Sequence, residues 1–260
     1  MIRNARFVAV CAILLSAYAS FADAPKQGKN KVAVRGQQQE VYFVPGAGSA
    51  SHQKILFFPG DGGWHGFAVT IAENLSAAGY DVYGVDTRHY LQSFTGSTVL
   101  KTSEIASDFR DLAKWIQQGS QDRVIVMGWS EGAGLELAAA SDPASRQLFA
   151  GVVAIGIPEY NILAWRWKDI GAEITKSLPN EPTFKSIDFI GSVSPLPLYV
   201  IASTGDEYIK PATTQALFNA ARQPKQLVVI NGGDHKYSNV TDEFFRKLKE
   251  GLTWIQHQQR

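Results

Sequence analysis

Arg123-Val-Ile-Val-Met-Gly-Trp-Ser-Glu-Gly-Ala-Gly134 changes its pattern halfway, and the rest of the chain is ordered around that change. Val124 to Met127 is a continuous apolar run of the kind expected for a strand covered on both faces. It stops at Gly128-Trp129-Ser130-Glu131-Gly132, a G-x-S-x-G pentapeptide, after which Ala133 to Ala140 reads as helix. Strand, tight turn and helix are the context in which this pentapeptide presents a nucleophilic serine. A serine at so sharp an apex sits in a strained backbone conformation, and glycines two positions to either side let strand and helix approach closely. Ser130 is then expected to project above the sheet, in front of a helix N-terminus that favours developing negative charge. The alternative is a Gly-Ser turn without chemistry.

Working outward, strand and helix signals alternate. Lys31 to Arg35 and Glu40 to Val44 are short alternating runs around Gly36, an expected antiparallel hairpin at a sheet edge. Lys54 to Phe58 is a buried-strand run, followed by Pro59-Gly60-Asp61-Gly62-Gly63-Trp64. Phe67, Ile71 and Leu75 mark a helix, Asp81 to Val85 a strand, and Asp86 to Leu100 reads as polar loop. Ile105, Phe109, Leu112 and Ile116 stripe another helix. Beyond the pentapeptide come strands at Phe149 to Ile157, Leu196 to Ser203 and Gln226 to Ile230. Helices are expected near Pro211 to Ala221 and along Phe244, Leu248, Leu252 and Ile255. Such alternation implies right-handed crossovers and a mainly parallel sheet covered on both faces. Residues 158–195 interrupt it. Holding Tyr160, Trp165, Trp167 and Phe184, they read as a partly helical cap, or else as an ordinary surface excursion packed by its aromatics.

Composition narrows the function classes. The 260 residues are 45% hydrophobic, enough for one substantial domain over 25–260, and 25 Lys+Arg balance 24 Asp+Glu. No basic patch suggests a nucleic-acid partner. Arg3, Arg6, the apolar Phe7 to Tyr18 and Ala22-Asp23-Ala24 read as a signal peptide over 1–24, which predicts a secreted protein. Its h-region contains the single cysteine, Cys11, so the mature chain has no thiol for disulfides, metals or catalysis.

A serine hydroxyl needs an adjacent base that is itself oriented by a carboxylate. Asp206 follows the run Leu198 to Ala202, and His235 follows Leu227 to Ile230, so both stand just past strands. Ser130, Asp206 and His235 thus occur in the chain order Ser, acid, His, each at the end of an apolar run. Glu207 and Asp234 are rival carboxylates. His65 and His89 are candidate pocket residues or solvated loop residues, whereas His52 and His257 lie at an early loop and the C-terminal tail. Backbone N–H groups of Glu131, after the nucleophile, and Asp61, in the glycine loop, are the expected oxyanion donors, with Gly62 as the alternative to Asp61. No ligand spacing for a metal occurs, and no cofactor is expected.

These features together resemble the α/β-hydrolase superfamily over the whole mature region, implying an α/β fold with a cap. Gly60-Asp61-Gly62-Gly63-Trp64, Gly84-Val85-Asp86-Thr87-Arg88-His89-Tyr90 and the Gly-aromatic-Ser elbow are also similar to the bacterial VirJ/AcvB family. That likeness implies a periplasmic protein, and the family includes hydrolases of lysyl-phosphatidylglycerol, a lipid aminoacyl ester. The elbow departs from the family's usual Gly-Tyr-Ser-Phe-Gly-Ala, and the Asp86 segment diverges on either side of Tyr90. The expected function is therefore ester hydrolysis on a small-molecule or lipid substrate. The alternatives are a general secreted esterase, lipase or peptidase, and a binding protein without catalysis. Trp64, His65, His89, Tyr90, Trp129 and Trp165 are candidate substrate contacts. The Glu131 carboxylate is a candidate partner for a cationic acyl group. Trp165-Arg166-Trp167-Lys168 reads either as a contact to a membrane surface or as a solvated helix.

Overall fold

The computed structural model describes residues 23–48, 52–96, 100–166 and 181–259. The expected signal segment up to residue 22, and Trp167 and Lys168 in the insertion, lie outside the described residues. The chain begins with the hairpin Gly28–Val34 (β1) and Gln37–Val44 (β2), which turns through Arg35 and Gly36 at φ 46 and 77. There follow Lys54–Phe58 (β3), Phe67–Ala77 (α1), Asp81–Val85 (β4), Thr87–Ser93 (α2) and Thr102–Gln117 (α3). Next come Val124–Trp129 (β5), Glu131–Ser141 (α4), Phe149–Ile155 (β6), Tyr160–Ile162 (β7), Thr183–Lys185 (β8) and Ile187–Ile190 (α5). Leu198–Ser203 (β9), Pro211–Ala220 (α6), Lys225–Ile230 (β10) and Thr241–Gln258 (α7) complete the fold.

Among the described residues, eight strands form one sheet in the order β1-β2-β4-β3-β5-β6-β9-β10. β1 and β2 run antiparallel at one edge, and all pairs from β4 onward are parallel. Alternation within the inner strands divides the core. Leu56, Phe58, Val124 and Val126 face the side covered by α3 and α4, packing with Phe109, Leu112 and Leu135. Ile55, Phe57, Ile125 and Met127 face α1 and α7, packing with Ile71, Leu75, Phe244, Leu248 and Leu252. The register pairs Phe58 with Gly128, Trp129 with Ile155, Ile155 with Ile201 and Ser203 with Ile230. It therefore brings the C-terminal ends of β3, β5, β6, β9 and β10 to one edge, where α/β sheets bind ligands.

One expectation changes. The segment after Asp86 is not all loop: the Asp86 carboxylate accepts the His89 N–H at 2.9 Å and caps α2. This helix is too short to show an apolar stripe, yet Tyr90 and Leu91 are fully buried. Within 158–195, the described base is a two-stranded antiparallel ladder, β7 with β8, followed by the short α5. Arg166 and Glu181 close that base with an ion pair.

Candidate active site

Ser130 connects β5 to α4 at φ 54 and ψ −122, a conformation that costs on the order of 1–3 kcal/mol for a residue with a Cβ. The surrounding glycines explain why the turn closes. A Cβ on Gly128 would lie 2.4 Å from the Gly132 carbonyl, and one on Gly132 would lie 1.8 Å from the Phe58 carbonyl oxygen. The Gly132 N–H donates to Pro59 O at 3.1 Å, joining the elbow to the end of β3. Gly60 stands directly beside the nucleophile, its Cβ position 3.8 Å from Ser130 Oγ. Asp61 is the residue after Gly60, and the Glu131 N–H is among the first-turn amides that an α-helix leaves unpaired.

The His235 ring lies on the same edge. Its Nδ1 is 2.8 Å from Asp206 Oδ2, and the two side chains are only 9% and 2% exposed, so the pair is largely desolvated. The other Asp206 oxygen accepts the N–H groups of Tyr208 at 2.8 Å and Ile209 at 2.9 Å, which fixes the carboxylate plane. The rival carboxylates are engaged elsewhere. Glu207 accepts the His235 backbone N–H at 3.0 Å, and Asp234 accepts the N–H groups of Lys236 and Ser238. The two loops are latched together: Ser203 Oγ donates to Gly233 O, and the Gly232 N–H donates to Thr204 Oγ1 at 2.8 Å. Gly205 is required there, since a Cβ would lie 2.7 Å from Gly233 O.

Trp129 joins the base to the nucleophile. Its indole N–H donates to His235 O at 3.1 Å, and its ring lies 5.3 Å from the imidazole, backed by Phe67. Trp129 therefore supports the base from behind. With Nδ1–H directed at Asp206, the neutral ring presents Nε2 as a base. Among the described residues Ser130 Oγ donates no hydrogen bond, and no group of three or more His, Cys, Asp or Glu is placed to hold a metal.

Several other candidate contacts are engaged within the fold. Tyr90 is fully buried, and its hydroxyl donates to Asp108 at 2.7 Å, so the expected substrate contact is a core residue. His89 Nε2 lies 2.8 Å from Gln38 O and faces the hairpin. Trp64 stacks on Tyr42 at 5.3 Å and covers Gly84, where a Cβ would fall 1.7 Å from its ring. Trp165 is buried beneath the Arg88 guanidinium, 4.5 Å from its ring centre. His65 is exposed beside the glycine loop.

Glu131 also departs from expectation. Its carboxyl is buried and accepts the Ile162 N–H of β7 at 2.9 Å. Burial pushes it well above the ordinary carboxylate range, Asp61 adds to that rise, and the Ile162 N–H opposes it. Such a site disfavours the anion that recognition of a cationic acyl group requires. Sequence reasoning also missed Arg88, Ser203, Gly205 and Asn161; only the paired glycines at 205 and 232–233 carry a local signal.

The strand order, with antiparallel β1 and β2 leading into a parallel sheet and a serine elbow after β5, defines the α/β-hydrolase fold. Solved structures agree. The chain is similar to GrgF, an alpha/beta hydrolase from Penicillium sp. sh18, with a TM-score of 0.68, 13% identity and coverage of 90% of this chain and 99% of that one. It is similar also to Est1E from Butyrivibrio proteoclasticus, with a TM-score of 0.63, 13% identity, and 88% and 99% coverage. The esterase domain of a Rhodothermus marinus protein gives 0.60, 20% identity, and 88% and 99%. At these identities the likeness is one of fold. Residues 53–158 match the model of the family described as "Bacterial virulence protein (VirJ)", so the chain resembles VirJ from β3 through β6. That span holds the glycine loop, the Asp86 segment and the elbow, but not Asp206 or His235. The uncharacterized protein Rv2307c of Mycobacterium tuberculosis is 26% identical over 212 residues, 77% of this chain and 69% of the relative.

Proposed function

We propose that this protein is a serine hydrolase that cleaves a carboxylic ester by acyl transfer. His235 Nε2 takes the proton of Ser130 Oγ as it attacks the ester carbonyl, and Asp206 holds the ring and stabilises the imidazolium. The N–H groups of Asp61 and Glu131 receive the oxyanion of the tetrahedral intermediate. Its collapse expels the alcohol, which takes the proton from His235 and leaves an acyl-Ser130 ester. Water, deprotonated by the same imidazole, then releases the acid and restores the serine. No cofactor enters these steps.

The observation that carries this reading is the left-handed Ser130 at φ 54. A strained non-glycine residue at this edge is retained at a cost in stability, in the conformation that a nucleophile needs. The VirJ likeness supports a finer version: a secreted, periplasmic enzyme acting on a lipid aminoacyl ester, with peripheral contact to a membrane surface. Because Glu131 is engaged with Ile162, selection for a cationic acyl group falls to other residues.

Ester hydrolysis by the purified protein tests the reading. Wild type is expected to hydrolyse aryl and lipid esters, and Ser130→Ala to lose at least ~10³-fold in kcat. Turnover surviving in Ser130→Ala, or absence of any ester hydrolysis by wild type, would overturn it. Lysyl-phosphatidylglycerol is expected to exceed neutral acyl esters in kcat/KM, and equal values would remove the lipid aminoacyl version alone.

A further inference from the structure

We infer that the base of the 158–195 insertion positions the oxyanion hole, through Glu131 bonded to Ile162 and Arg88 clamped between Asp61 and Trp165. This rests on the serine chemistry proposed above and assigns a task to side chains outside it. Each expected oxyanion donor belongs to a residue that is tied separately to the segment 160–166.

The first tie is direct. Glu131 supplies its N–H to the oxyanion position while its side chain accepts the Ile162 N–H at 2.9 Å. β7 lies close on the first turns of α4: a Cβ on Gly134 would fall 1.7 Å from Asn161 Oδ1. Asn161 in turn donates to Ser186 Oγ at 2.8 Å, and Ser186 donates to Pro158 O at 2.7 Å, joining both ends of the insertion's base. A movement of β7 therefore acts on the residue that follows the nucleophile.

The second tie runs through Arg88. Its Nε–H donates to Asp61 O at 3.0 Å, and its guanidinium plane covers the buried Trp165 ring. The Trp165 N–H donates to Thr95 Oγ1 at 3.0 Å, so the ring that supports Arg88 is fixed to the segment after α2. Asp61 needs such restraint because Gly60, Gly62 and Gly63 surround it, and glycine gives backbone amides wide freedom. Thr87 Oγ1 donates to Pro59 O at 2.8 Å and holds the loop upstream, while Arg88 holds it downstream. Between those two bonds the Asp61 N–H keeps one direction, as preorganised stabilisation of an oxyanion requires.

Arg88 and Glu131 thus act as positioning residues. A purely structural role would lower stability without a selective effect on the tetrahedral state. The test is steady-state kinetics on one ester, with inhibition by a boronic acid that forms a tetrahedral adduct on serine, for Arg88→Ala, Arg88→Lys, Glu131→Ala and Glu131→Gln. In both alanine variants kcat is expected to fall about 10–100-fold with KM within about 2-fold, since a displaced donor costs less than a deleted one. The boronate inhibition constant should rise in parallel. Glu131→Gln, which keeps an acceptor for Ile162, should recover most of the loss; Arg88→Lys, which lacks the planar fork, should not. Folded alanine variants with wild-type kcat and boronate affinity would overturn the inference, as would Glu131→Gln losing as much as Glu131→Ala. If an alanine variant does not fold, the Arg88→Lys and Glu131→Gln pair decides by the same measurements. An active wild type with unaffected variants would sink this inference alone, whereas an inactive wild type would sink the serine-hydrolase reading and this inference with it.

Discussion

On one side of Ser130, at the ends of β9 and β10, the acid and base are set by strand pairing. Leu198 to Ser203 align with Lys225 to Ile230, and the loops that follow bring Asp206 to His235 with short local bonds. On the other side, the glycine loop and residues 160–166 are held by side chains that reach across the sequence: Arg88 to Asp61 and Trp165, and Glu131 to Ile162. Backbone register resists single substitutions because many bonds share the load. A tether of one side chain does not. The first side should thus be less sensitive to the loss of a single contact than the second.

The largest expected effect tests the register-held side. Asp206→Asn keeps an oxygen for the Tyr208 and Ile209 N–H groups but loses the carboxylate that orients the imidazole. kcat should fall ~10³–10⁴-fold with the unfolding midpoint little changed. A loss under about 10-fold would mean that strand pairing places an acid the reaction does not use.

The next acts on the tethered side. Gly134→Ala puts a methyl where Asn161 lies, and overpacking of this kind costs about 1–3 kcal/mol. Urea unfolding should show that loss, and Asn161→Ala in the same chain should relieve part of it, giving a coupling between the sites. Strict additivity of the two substitutions would show that β7 does not press on α4 as described.

The smallest concerns Glu136, further along α4. It is fully buried, and neither carboxylate oxygen has a hydrogen-bond partner among the described residues. Burial raises its pKa well above the ordinary 4.5, so the native state binds its proton more tightly than the unfolded chain does. Its contribution is fully present below about 4.5 and is lost as pH rises towards the folded-state pKa. Glu136→Met should consequently be more stable than wild type by about 1 kcal/mol at neutral pH, with the difference growing as pH rises above 4.5. Identical pH–stability profiles for the two proteins would contradict this.

The same contrast decides what could be read from the sequence. Val124 to Gly134 announces its strand, turn and helix locally, and Asp206 and His235 each follow an apolar run, so their places are legible without coordinates. Preference for Asp206 over Glu207 and Asp234 rested on position, and the geometry brings Asp206 to the ring. The burial of Tyr90 is not legible because α2 is a short polar helix whose core side chains follow no visible period. Trp64 and Gly84 form a matched pair, a ring lying on a residue without Cβ, yet two separate segments do not reveal that they touch. Arg88 was equally hidden. Its partners include a backbone carbonyl and a distant ring, and no spacing rule connects them.

Covalent labelling tests the central claim most directly. Wild-type protein treated with a fluorophosphonate should gain the mass of one adduct, located by peptide mass spectrometry on Ser130, and lose its hydrolytic activity in proportion. Ser130→Ala should gain none. A folded, ester-hydrolysing wild type that takes up no adduct, or takes it up at another residue, would contradict the account.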